Sequence, residues 1–153
     1  MSKRKVWGVA AVLATWATAV AVTRQMAPRL DRGSESSPEI RRAVAAGELR
    51  LPDLAPPVRH VHLDLVMAGA EVGWRPDGTD DGTTGLDLTV HAKLSGVQVT
   101  VPPGTRVWWR HRGPGRVSLT QGSDLTRVDS AEDADVRIEA VLVFAGLSVT
   151  GRP

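Results

Sequence analysis

The chain reads as all-β: a short right-handed-type β-solenoid, or a strongly bent β-sandwich, of degenerate repeats, preceded by an N-terminal transmembrane helix and a short helix. Three observations predict this. From residue 60 onward hydrophobicity alternates with a period of two, as half-buried strands require. A strand–small residue–glycine–strand unit recurs in Leu65-Val-Met-Ala-Gly-Ala-Glu-Val72, Ala92-Lys-Leu-Ser-Gly-Val-Gln-Val-Thr-Val101 and Val141-Leu-Val-Phe-Ala-Gly-Leu-Ser-Val149. Ahead of these units lies a charge-free apolar run behind a basic start.

At 153 residues there is room for one modest domain and an appendage, not two full cores. Charge divides along the chain: residues 1–59 hold 10 Lys/Arg against 5 Asp/Glu, a net of +5, and residues 60–153 hold 9 against 12, a net of −3. The basic excess therefore belongs to the N-terminal segment. A mildly acidic folded part argues against nucleic acid as a partner, because such domains carry their basic face on the fold itself. A basic segment beside an apolar one suits a membrane surface. Cysteine is absent, which removes disulfides, thiolate metal sites and Cys nucleophiles.

Residues 1–5 form a basic tail, and Lys3-Arg4-Lys5 leads into an uncharged stretch from Val6 to Val22. That length is near the lower limit for crossing a bilayer, so residues 6–23 are expected to be a transmembrane helix with Trp7 and Trp16 as anchors. A signal peptide cut after Ala19-Val20-Ala21 is the competing reading; the length of the run and Arg24 directly after it favour an uncleaved anchor. The short basic start places the β-domain outside the cytoplasm, although Arg24, Arg29, Arg32, Arg41 and Arg42 count the other way. The expectation is thus a single-pass protein of the cell membrane.

Residues 24–57 read as a linker containing a short helix over 38–46. Ser37 would be its N-cap, Pro38 its first residue and Gly47 its stop, with Ile40 and Val44 forming a narrow apolar edge. Pro52, Pro56 and Pro57 stiffen the approach to a β-domain spanning 58–153. There, Val61, Leu63, Leu65 and Met67 point one way and His62, Asp64 and Val66 the other. Leu86, Leu88 and Val90 alternate with Asp87, Thr89 and His91, and Val136 and Ile138 with Arg137 and Glu139. Val141-Leu-Val-Phe144 is apolar on both faces, as an enclosed strand would be. Gly69, Gly96 and Gly146, with Gly115 as a fourth candidate, are expected to let strands turn corners so that rungs stack. Pro102, Pro103 and Gly104 make a turn between rungs.

The phrase Gly96-Val-Gln-Val-Thr-Val-Pro-Pro-Gly-Thr-Arg-Val107, with the closing strand Val143-Phe-Ala-Gly-Leu-Ser-Val149, resembles the C-terminal β-domain of LiaF-like proteins. The likeness covers roughly residues 85–150, and Val101-Pro-Pro-Gly-Thr-Arg-Val107 is its most specific part. LiaF-like proteins are membrane proteins of the bacterial response to cell-wall-active antibiotics. The resemblance implies a regulatory role in envelope-stress sensing, through contact with a membrane histidine kinase or another envelope protein. The chain departs from that family in having one span rather than several, and Gly113-Pro-Gly115 where a Phe-Gly-Gly-like phrase is expected.

Few constellations suggest chemistry. Asp77-Gly-Thr-Asp-Asp-Gly82 imitates the start of a calcium loop, but the twelfth position is Leu88 rather than the bidentate Glu; a polar turn is expected. His62 and His91, with His60 near by, could share a zinc with Asp64, yet nothing in the spacing demands it, and solvated surface histidines with no metal are the expectation. No hydrolase elbow, metalloprotease motif or phosphate loop is present, so no enzyme activity and no cofactor is implied. The binding candidates are Trp108, Trp109, Arg110, Arg112 and Arg116. One Trp of the pair must face inward and the other outward; exposed rings beside Arg suit recognition, while rings covered by Arg stems suit packing. The partners expected are the bilayer, through residues 6–23, and an envelope protein. The alternative is a bactofilin-like scaffold whose β rungs join end to end at the membrane.

Overall fold

The computed structural model describes residues 31–34, 37–76, 85–120 and 124–152. The basic tail, the expected membrane helix with Trp7 and Trp16, and the calcium-like loop Asp77–Gly82 lie outside the described residues. Among the described residues no helix is long and apolar enough to cross a membrane.

The all-β expectation holds for the described residues. Eleven strands follow one another: β1 Glu39–Ala45, β2 Glu48–Leu54, β3 His60–Val66, β4 Gly69–Trp74, β5 Leu86–Lys93, β6 Gly96–Val101, β7 Arg106–Arg112, β8 Arg116–Leu119, β9 Thr126–Arg127, β10 Val136–Val143 and β11 Gly146–Gly151. They pair in parallel into a six-stranded sheet ordered β1-β3-β5-β10-β7-β9 and a five-stranded sheet ordered β2-β4-β6-β11-β8. Each rung is two strands joined at a corner, one strand in each sheet. The inward residues of both sheets fuse into one core that includes Ile40, Leu63, Leu88, Val99, Ile138 and Val149. Alternation supplies this directly: every second residue of a strand faces the opposite sheet, and the next faces solvent.

The rungs do not stack in chain order. The last one, β10–β11, sits between β5–β6 and β7–β8. Its inward residues Val136, Ile138, Ala140 and Leu142 are at most 4% exposed, so the most apolar strand takes a central place with ladder partners on both sides. The rung that precedes it in sequence has a β8 of only four residues and a β7 rich in Arg, and it lies toward the end of the stack. The expectation that Val141 to Phe144 is enclosed is met only laterally: Val141 is 41% and Phe144 71% exposed.

The short helix over 38–46 is not formed. Those residues are strand β1, in parallel register with β3 through Ile40↔Val61 and Val44↔Leu65. A spacing of four fits both a helical turn and two strand repeats, and the open edge of β3 decides in favour of the strand. β2 likewise occupies part of the expected linker, so the β-domain begins at Glu39 rather than at residue 58. Pro52 is tolerated because β2 is an edge strand with a register shift between Leu51 and Leu54.

The corners before β4, β6 and β11 are turned by residues other than the glycines expected there. Ala46, Met67, Leu94 and Phe144 adopt left-handed backbone, with φ of 54°, 51°, 50° and 51°. Gly69, Gly96 and Gly146 follow two residues later, aligned in register as the first residues of their strands. A Cβ would meet nothing within 4 Å at Gly96 or Gly146, and Glu48 takes the same position in the first rung. Of the four glycines expected, Gly115 is the one that is required, because an added Cβ there would collide with Leu142 and come 2.6 Å from the Ala145 carbonyl; Gly113, two residues earlier, supplies φ +93°. In the Pro102-Pro103-Gly104 turn, Gly104 supplies φ +77°, and Thr105 Oγ1 donates to the Pro102 carbonyl at 2.7 Å.

Candidate functional site

The outward face of the six-stranded sheet gathers most of the chemistry-bearing side chains into rows that run along the stack. The parallel register makes the first row Glu39, His60, Asp87, Arg137 and Trp108. Within it, His60 Nδ1 lies 3.2 Å from Asp87 Oδ2, and Arg137 Nη1 donates to Asp87 Oδ1 at 3.2 Å. The second row runs Arg41, His62, Thr89, Glu139 and Arg110, with Arg110 Nη2 donating to Glu139 Oε1 at 2.6 Å. These exposed pairs order the surface more than they stabilise it.

Asp64, directly opposite His91 in the third row, is the hub of the face. Its Oδ1 lies 3.3 Å from His62 Nε2 and 3.1 Å from His91 Nδ1, while Arg41 Nη2 donates to Oδ2 at 3.1 Å. The two imidazoles meet edge to face, with centroids 5.1 Å apart. Burial alone would raise the Asp64 pKa; the Arg41 hydrogen bond and the charge and hydrogen bond of His62 outweigh it and hold the carboxyl below the ordinary range. His91 also walls a recess of about 400 Å³ whose lining includes Val66, Lys93, Val141 and Val143. Sequence alone places His62, Asp64 and His91 outward on adjacent strands; their convergence comes from the register.

The five binding candidates do not form one patch. Trp108, Arg110 and Arg112 share the outward face of the six-stranded sheet, with the Arg110 guanidinium 5.9 Å from the Trp108 ring centre. Trp109, in register with the buried Ile138, turns inward and packs against the core, and Arg127 of β9 covers its ring at 4.3 Å. Arg116 belongs to the other sheet, beside Gly146. There it borders a trough of about 470 Å³ floored by Gly69, Gly96 and Gly146, with Glu48 among the residues lining it.

The sequence reading misses a corner ridge. Met67, expected inward with Leu65, is instead 44% exposed; Leu94 is 47% and Phe144 71% exposed. Their amides continue the parallel ladder, Met67 N–H donating to the Lys93 carbonyl and Leu94 N–H to the Val143 carbonyl, each at 2.9 Å. Met67, Leu94 and Phe144 therefore stand one rung apart in a line. The signal was present: a bulky apolar residue stands two positions before each aligned glycine, and the chain's single Phe is one of them.

Comparison of the chain with protein-family models, with curated proteins and with solved structures finds no match.

Proposed function

We propose that this chain is a membrane-anchored, non-catalytic β-solenoid that acts by docking an envelope protein along its apolar corner ridge, as an accessory or regulatory component of cell-wall stress sensing. One observation carries the reading. Met67, Leu94 and Phe144 occupy left-handed positions where glycine would relieve roughly 1–2 kcal/mol of backbone strain, and their side chains contribute little to the core. Neither the backbone nor the packing asks for large apolar groups there, and a line of exposed apolar groups marks an interaction surface. The basic, apolar N-terminus supports a membrane anchor, and the resemblance of residues 85–150 to LiaF-like β-domains supports the envelope setting.

The scaffold alternative needs bare strand edges at the ends of the stack. Instead β1 is bridged antiparallel by Arg32, β2 carries Pro52 with Glu48, Arg50 and Asp53, and the end strands β9 and β8 are only two and four residues long. Features of this kind blunt edge-to-edge assembly.

Photo-crosslinking in intact membranes tests the docking. A photoreactive residue at position 144 of the full chain is expected to capture one membrane protein that the same residue at position 71, on the exposed face of β4, does not. Equal capture from both positions, or lipid adducts alone from 144, would overturn the reading.

A further inference from the structure

We propose that His62, Asp64 and His91 form a binding site for a divalent transition-metal ion of the zinc type. The site is built by the sheet. β3 carries His62 and Asp64 two residues apart on one face, and β5 sets His91 opposite Asp64. Both strands have partners on either side, β1 beyond β3 and β10 beyond β5, so their backbones are held in place. Loop motion has no part in the geometry.

One ligand atom from each residue lies within 4.8 Å of the other two. Tetrahedral zinc with bonds of about 2.0–2.1 Å sets its ligand atoms roughly 3.3–3.4 Å apart. The 3.1 Å and 3.3 Å separations between Asp64 Oδ1 and the two imidazole nitrogens already match that edge, so small side-chain rotations complete the triangle. Two imidazoles and a carboxylate favour zinc, nickel or copper over calcium or magnesium, which take oxygen ligands. Arg41 holds Asp64 Oδ2 at 3.1 Å, as an outer-shell partner does, so Oδ1, the oxygen between the two imidazoles, is the one that would meet the ion. Three protein ligands leave a fourth position open, for water or for a group brought by a ligand. Arg41 also places a positive charge near the ion, which argues for moderate rather than extreme affinity.

The site stands independently of the corner ridge, and its test reads metal directly. The tag-free full chain, purified in detergent and stripped with chelator, is titrated with Zn²⁺ against a chromophoric chelator and with Co²⁺ by visible absorption. One equivalent is expected to bind, and Co²⁺ should give the intense bands of tetrahedral coordination. His62→Gln, His91→Gln and Asp64→Asn should each weaken Zn²⁺ binding by about 100-fold or more, and His60→Gln should leave it unchanged. Unaltered circular dichroism and thermal midpoints in chelator would confirm that these surface variants fold. The proposal is overturned if wild-type chain binds no Zn²⁺, or if one-equivalent binding persists in both His91→Gln and Asp64→Asn.

Discussion

Arg106 grips Asp135 through both main chain and side chain. The Arg106 amide donates to Asp135 Oδ2 at 2.8 Å, and the guanidinium donates to Oδ2 at 3.2 Å and Oδ1 at 2.7 Å. The Asp135 amide returns a bond to the Arg106 carbonyl at 2.9 Å, and the Asp135 carbonyl accepts from Leu86 N–H at 3.0 Å. Asp135 thus ties the starts of β5 and β7 together at the point where the chain slips β10 between them. The out-of-order rung is pinned where it begins.

This clamp predicts an acid-sensitive stability. Burial would raise the Asp135 pKa, but the Arg106 side-chain hydrogen bond, its backbone N–H and its charge outweigh burial and hold the carboxyl below its ordinary value of 3.8. The folded chain therefore binds this proton less readily than the unfolded chain does. The stabilisation is complete above the ordinary value and is lost as pH falls through the depressed one. Urea midpoints measured from about pH 6 down to about pH 2.5 should fall more steeply for wild type than for Asp135→Asn, which starts lower. Parallel curves would show that the clamp contributes nothing.

The glycines separate by what an added methyl group would meet. Gly115→Ala forces Leu142 and the Ala145 carbonyl apart and should destabilise by about 2 kcal/mol or more. Gly96→Ala enters open space at ordinary φ, so it should be neutral or stabilise by up to about 1 kcal/mol through the unfolded chain. Denaturant midpoints of the two variants give the answer, and comparable losses at both positions would contradict the corner geometry.

Much of the β-domain is legible from residue 60 onward, because strands such as β3, β5 and β10 bury one face and wet the other. β1 is not, since the four-residue spacing of Ile40 and Val44 suits either period and the deciding partner, β3, is distant in sequence. The rung order is hidden for a related reason: parallel neighbours leave no local signature. At the site, sequence shows His62, Asp64 and His91 as outward residues, while only the Asp64↔His91 register brings them together. Met67 escapes because strict alternation carries it inward with Leu65, whereas left-handed backbone at the corner turns it, like Leu94 and Phe144, out of the strand pattern altogether.

The Trp pair should divide between stability and surface. Trp109 packs on the core beneath Arg127, so Trp109→Ala should cost about 2–3 kcal/mol, somewhat below a fully buried Trp. Trp108→Ala, on the outward face, should cost less than about 1 kcal/mol. Chemical denaturation of both variants checks this, and equal losses would place both rings in the core.

Phe144 offers the sharpest separation of fold from function. Its φ of 51° is a conformation in which glycine is at ease and a bulky residue is strained. Its side chain is 71% exposed, so little packing is lost when it is removed. Phe144→Gly should therefore leave stability unchanged or raise it by up to about 1 kcal/mol, whereas a residue kept for the core would lose about 3 kcal/mol or more. If the ridge docks a partner, the same substitution abolishes co-purification of the protein crosslinked from position 144, with Leu94→Gly acting in the same direction. Stability retained together with association lost is the signature of a side chain kept for contact. A variant that unfolds, or one that still captures the partner at wild-type levels, would return Phe144 to the role of an ordinary corner residue.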